Sequence, residues 1–187
     1  LAQLLARPET TFAELPAAPT DTCSLDTIQQ QMERLPQGAR RLAIQLRTRL
    51  DRQWLWAVLT DYDNLSRFIP NLTSSRLLWR RGSLVGLEQV GSQRFCGLSF
   101  HAEVEIELEE DCAAGELRFR MRRGDFRRFE GSWSLRDDGQ STSLVYELTV
   151  QGKPGMPIGL IEQRLREDLA TNLRGVQQEA ERRAARV

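Results

Sequence analysis

Two neighbouring stretches set the pattern of the chain. In HAEVEIELEE (101–110) the apolar residues Ala102, Val104, Ile106 and Leu108 alternate with glutamates, and in LRFRMRR (117–123) Leu117, Phe119 and Met121 alternate with arginines. A period of two marks a strand with one dry and one wet face. With EDCAAGE (110–116) as the turn, an antiparallel register sets Glu107, Glu105 and Glu103 beside Arg118, Arg120 and Arg122. The same register puts Leu108, Ile106 and Val104 opposite Leu117, Phe119 and Met121. Cross-strand opposite charges stabilise by roughly 0.2–1 kcal/mol each. The glutamates therefore read as register-fixing partners of the arginines, and any chemistry belongs to the apolar face.

The alternation begins at ARRLAIQLRTRL (39–50), where Leu42, Ile44, Leu46 and Thr48 form the dry side of a half-buried strand. Next come Trp54, Leu55, Val58 and Leu59 at helical spacing behind an Asp51 cap, then a second short helix that ends near Pro70. Six further strands are predicted between Leu72 and Gln151, making seven. The turn DDGQ (137–140) aligns Leu135 with Leu144, Trp133 with Tyr146 and Phe129 with Val150. Gly91, Gly97 and Gly131 mark bends, so the sheet is curved. Ile158, Ile161, Leu165, Leu169, Leu173, Val176 and Ala180 then trace one long amphipathic helix. About 28 residues reach ~42 Å, so its arginine-rich end is expected to overhang into solvent. Residues 1–38 read as an extension with one short helical pattern at Leu25, Ile28, Met32 and Leu35, and the domain as 39–187.

The fold class is thus α+β: a seven-stranded curved antiparallel sheet, two short helices after the first strand, and a long C-terminal helix. Such a sheet must cover its apolar face, and one long helix and two short ones leave a gap. The residues expected to face it are Leu46, Val104, Ile106, Phe119, Met121, Phe129, Trp133, Tyr146 and Leu148 from the sheet, and Ile161 and Leu165 from the helix. A cavity lined this way suits an apolar ligand carrying one or two polar groups. The same periodicity fits a filled core.

Composition narrows the function. Lys+Arg and Asp+Glu are 26 each in 187 residues, and zero net charge argues against nucleic acid as a partner. Cys23, Cys96 and Cys112 have neither disulfide-framework nor zinc spacing, so a cytoplasmic, reducing setting is expected, with no metal and no cofactor. The apolar runs fall short of the ~18–20 residues of a membrane span. The opening LAQLLARPETTF lacks a secretory signal's pattern, and a start at Leu rather than Met points to trimming or processing.

The order strand, two helices, six strands, long helix resembles the helix-grip fold of the START-like or SRPBCC superfamily. WAVLTDYDNLSRFIPNL (56–72), GDFRRFEGSWSL (124–135) and KPGMPIGLIEQRLREDLATNL (153–173) are similar to its polyketide cyclase/dehydrase and coenzyme Q-binding branch, in the form found in cyanobacteria and plastids. The resemblance covers roughly residues 39–181. It implies a pocket for a lipid, quinone, isoprenoid or polyketide and, in some relatives, cyclisation or dehydration chemistry.

Candidate chemistry is sparse. His101, the only histidine, falls on the charged side of its strand by alternation and so outside the pocket, which removes the commonest general base. Ser99 and Ser132 lack a base and a GxSxG context, and Cys96 lacks an activating neighbour. Three catalytic candidates remain. Tyr146 is on the inner face and has a phenol to offer; Arg127 shares the phase of Phe129 and Trp133; and Glu88 or Gln89 faces in from the third strand. Phe68, Ile69, Pro154, Met156 and Pro157 are expected to gate the cavity. Arg122, Arg123, Arg127 and Arg128 around Phe126 read either as a solvated hairpin or as a peripheral contact with an anionic membrane. Three functions stay open: carriage or presentation of a hydrophobic small molecule, polyketide or aromatic cyclase/dehydratase catalysis in the same cavity, and a protein-interaction module.

Overall fold

The computed structural model describes residues 25–95, 98–156 and 162–186. One sheet of eight antiparallel strands runs in the spatial order β1-β2-β8-β7-β6-β5-β4-β3. The strands are β1 (Ile28–Arg34), β2 (Arg40–Thr48), β3 (Leu72–Arg81), β4 (Leu84–Phe95), β5 (Leu98–Asp111), β6 (Glu116–Gly124), β7 (Phe126–Asp137) and β8 (Thr142–Gly152). Between β2 and β3 lie helix α1 (Arg52–Leu59) and a 3-10 helix (Tyr62–Arg67), and helix α2 (Glu162–Ala184) closes the chain. This is the expected helix-grip arrangement with one strand more.

The added strand is β1. Leu25, Ile28, Met32 and Leu35 do not form a helix: Ile28 to Arg34 pairs antiparallel with Leu46 to Arg40 of β2. A spacing of four between Ile28 and Met32 satisfies period two as well as period 3.6, so the apolar pattern could not choose. Pairing decided it, because β1 covers what would otherwise be the free edge of β2. Glu162 then receives Arg34 and Arg40, each at 3.2 Å, and so clamps the start of α2 to the β1–β2 hairpin.

The six strands after β2 fall where alternation placed them, and Phe129↔Val150, Trp133↔Tyr146 and Leu135↔Leu144 pair as the DDGQ turn requires. The β5–β6 register is a correction. Glu109 faces Arg118, Glu107 faces Arg120 and Glu105 faces Arg123, while Leu108 faces Phe119 and Ile106 faces Met121. The ladder runs on to Asp111↔Glu116, leaving a tighter loop in which Gly115 turns at φ 72°, a conformation that strongly favours glycine. The slip is two residues, so each side chain keeps its face while its partner changes. Arg120 accordingly bonds Glu107 at 2.5 Å.

The sheet bends sharply at Gly131, where an added Cβ would sit 1.9 Å from the Glu147 carbonyl oxygen. The β6–β7 ladder ends there, at Arg120↔Glu130. Beyond it the two strands part, β6 staying on β5 as far as Gly124 and the start of β7 staying on β8.

The arginine-rich end of α2 does not overhang. Arg183 bonds Asp61 at 2.6 Å and Glu179 at 2.7 Å, lies over the Phe68 ring, and seats Ala180 fully buried against the helical layer. Hydrogen bonds from Arg182, joined by Arg183, outweigh the burial that favours protonation and hold the Glu179 carboxyl down at about 2. Its ordinary value is 4.5. A folded-state value below the unfolded one contributes stability that is present above the ordinary value and lost as pH falls through about 2. Glu179→Gln should therefore melt lower than wild type near neutral pH, and the two melting temperatures should converge in acid. A gap that persists to the lowest pH would show that the charge pairing contributes nothing.

Candidate functional site

The strand directions bring the elements around the cavity mouth to one end of the sheet. The end of β4, the start of β5, the β6–β7 connection, the start of β3 and the end of β8 lie at that end, and the β3–β4, β5–β6 and β7–β8 turns lie at the other. Between sheet and α2 is a cavity of about 270 Å³. Its walls are Val104, Ile106 and Leu108 of β5, Leu117 and Phe119 of β6, and Leu148 of β8. Leu165 and Leu169 close it from α2, and Leu65 of the 3-10 helix and Ile69 just after it close it from the side of β3. An aromatic bank stands on one side: Trp133 stacks on Tyr146 with centroids 4.1 Å apart, and Phe119 lies 5.6 Å from Phe129, which stacks on Phe126 at 5.3 Å.

The expected lining divides as follows. Val104, Ile106, Phe119, Phe129, Trp133, Tyr146, Leu148 and Leu165 border the cavity. Leu46 does not: it is fully buried in the packed core, opposite Leu144. Met121 packs against the core without bordering the space. Of the gate residues, Ile69 and Met156 line the mouth, whereas Phe68 is held beneath Arg183. Ile161, Pro157 and Cys96 lie outside the described residues.

The polar candidates are rearranged. The Tyr146 phenol faces the cavity, makes no hydrogen bond among the described residues, and is kept neutral because burial pushes its pKa far up. Glu88 points outward and bonds Arg76 at 2.8 Å, which leaves Gln89 as the residue of that pair lining the cavity. Arg127 is exposed: a bulge between Phe126 and Arg128 breaks the alternation, so Phe126 and Phe129 face in and Arg127 does not. His101 is a correction in the other direction. Ser92↔His101 and its neighbour Gly91↔Ala102 both border the cavity, so the exposed His101 stands at the rim rather than away from the site, although the β4–β5 ladder keeps its register there.

Three polar residues of the lining, two of them on α2, are not among the sequence-based candidates. Asp168 and Asn172 project from α2 into the cavity. Asp168 is 6% exposed and pairs with Arg164 at 3.5 Å; the Asn172 side-chain oxygen is enclosed without a hydrogen-bond partner among the described residues. A buried carbonyl in that state suits a donor on a guest. The signal was present in the sequence, since the two break into the Leu165, Leu169, Leu173 stripe at helical spacing. Tyr62, also unforeseen, turns its ring to the cavity and donates its hydroxyl to Glu110 at 2.5 Å, while Arg80 grips the same carboxylate at 2.7 and 2.9 Å. Burial and then the Glu110 bond push the Tyr62 phenol far up, so it acts as a strut rather than an acid. Burial resists ionisation of Glu110, yet the Arg80 and Tyr62 bonds prevail and hold it below the ordinary carboxylate range.

The cavity can thus enclose an apolar body and offer it hydrogen bonds from Gln89 and Tyr146 of the sheet and Asn172 of α2. Among the described residues no cluster of His, Cys, Asp and Glu could hold a metal, and no helix is long and apolar enough to cross a membrane.

Comparison with known proteins places this architecture. No curated protein matches the chain. Among solved structures it is similar to a STAR-related lipid transfer protein from Xanthomonas axonopodis, at TM-score 0.71 and 14% identity over 86% of this chain and 97% of that one. It is also similar to the Zhui aromatase/cyclase from Streptomyces sp. R1128, at 0.67 and 16% over 78% and 96%. A START superfamily protein from Mycobacterium smegmatis matches at 0.61 and 17% over 76% and 97%. At these identities the likeness is one of fold. The family described as polyketide cyclase / dehydrase and lipid transport matches residues 50–174, and the chain belongs to it.

Proposed function

We propose that the protein binds one hydrophobic small molecule, of the lipid, quinone, isoprenoid or polyketide kind, between sheet and α2 and carries or presents it. The observation that supports this most is the cavity of about 270 Å³, walled by aliphatic and aromatic side chains. Its polar groups suit recognition: Asn172 offers an unpaired carbonyl oxygen, Tyr146 a neutral hydroxyl, and Gln89 an amide. The exposed free thiol of Cys112 fits a reducing, cytoplasmic setting.

A second reading is cyclisation or dehydration of a flexible poly-β-ketone folded in the same space. The placing of Asp168 and His101 on the lining favours it, because a carboxylate and an imidazole are both proton-transfer groups. One experiment addresses both. The purified chain is extracted with organic solvent and the extract analysed by mass spectrometry, before and after incubation with a synthetic poly-β-ketone. Carriage predicts an apolar compound approaching one per chain and an unchanged ketone; catalysis predicts cyclised or dehydrated products. An extract empty in both arms would end the proposal.

A further inference from the structure

We propose that the β6–β7 tip is a docking surface for an anionic lipid bilayer, which brings the cavity mouth to the membrane. The tip reads RRGDFRR over 122–128, and all four of its arginines are exposed. Arg127 sits on the bulge and has no partner among the described residues, and Arg122 and Arg123 reach Glu107 and Glu105 only at 3.8 and 3.7 Å. Arg128 pairs with Glu130. Lys153 joins the patch from the end of β8 by donating to the Gly124 carbonyl at 2.7 Å, a bond that leaves its charge unneutralised. Arg122, Arg123, Arg127, Arg128 and Lys153 against Asp125 and Glu130 leave +3 on residues 122–130 and Lys153, and still +1 when Glu105 and Glu107 of β5 are counted with them, in a chain whose net charge is zero.

The acidic residue within the tip is turned to other use: the Asp125 carboxylate accepts the Glu103 backbone N–H at 2.7 Å. Phe126, between the arginine pairs, lines the cavity, so the charged surface and the mouth share one structural element. None of the four arginines lines the cavity, and a flat anionic surface can meet several exposed guanidinium groups together. The carrier reading supplies a purpose for this surface. Vesicle binding needs no guest in the cavity, so the two readings can fail separately.

The test is sedimentation of the full chain with vesicles of phosphatidylglycerol and phosphatidylcholine in equal parts, or of phosphatidylcholine alone. Binding is expected to the anionic vesicles only and to weaken with salt, because exposed charges are screened over ~8 Å at physiological ionic strength. R122Q/R123Q/R127Q/R128Q should lose at least about tenfold in vesicle affinity. The single R127E should show a smaller loss, and R76Q/R118Q/R120Q, on the outer face of the sheet, should bind as wild type. Circular dichroism checks that each variant is folded. Three results would each overturn the proposal: no binding of wild type to anionic vesicles, as when the arginines serve an acidic protein instead; full binding by the folded tip variants; or an equal loss in the outer-face variant.

Discussion

Gly131→Ala is expected to destabilise the fold by on the order of 3 kcal/mol or more, read as a shift in the denaturant midpoint. The added methyl would fall 1.9 Å from the Glu147 carbonyl oxygen and 2.9 Å from the Phe119 ring. Neither neighbour can give way cheaply. The carbonyl belongs to β8, whose ladders to β2 and β7 fix it on both sides, and Phe119 is buried among the cavity aromatics. Relief requires opening the bend, which would draw β7 away from β8 and disturb the Trp133–Tyr146 stack. Gly91→Ala is the control: its methyl would meet nothing closer than the Asn71 carbonyl at 3.5 Å, so a change within about 1 kcal/mol is expected. Equal losses at both positions would mean that the bend does not depend on the missing side chain.

The second large effect concerns binding. Ala102→Trp should reduce affinity for an apolar probe such as a fluorescent fatty acid by about a hundredfold or more, roughly 2.7 kcal/mol, while leaving the protein folded. Ala102 shares the inward face of β5 with Val104 and Ile106 and stands opposite Gly91, which has no side chain to compete for space. An indole there would occupy the mouth without intruding on the packed base of the core around Leu46 and Leu144. Melting temperature and probe titration together separate the outcomes. A folded variant that binds as tightly as wild type would place the binding site elsewhere.

What the chain revealed in advance, and what it withheld, follows from the range of the interactions concerned. Alternation found β2 to β8 because each half-buried strand records its dry face residue by residue, and the DDGQ turn pinned a register because its own geometry is local. The β5–β6 register was misread by two residues because either loop length gives the same apolar and ionic pairing. β1 was hidden because four-residue spacing fits strand and helix alike, and its partner edge lies in another segment. Within the site, aliphatic and aromatic walls were legible in Val104, Ile106, Phe119 and Trp133. The polar groups were not. Arg127 is turned out by a bulge, His101 stands at a rim that alternation does not locate, and Asp168 and Asn172 are polar members of a helix whose pattern is dominated by its apolar stripe. The docking of Arg183 on Asp61 joins residues far apart in sequence, beyond the reach of any local pattern.

The parting of β6 from β7 has a mechanical corollary. Past Arg120 and Glu130 each arm is stitched to a different neighbour, so swinging them apart ruptures no rung between them. The resistance falls instead on ring contacts such as Phe119 against Phe129 and on the hydrogen bond from Lys153 to the Gly124 carbonyl. The wall on this side is therefore expected to yield at its aromatic side chains before any rung of the sheet opens.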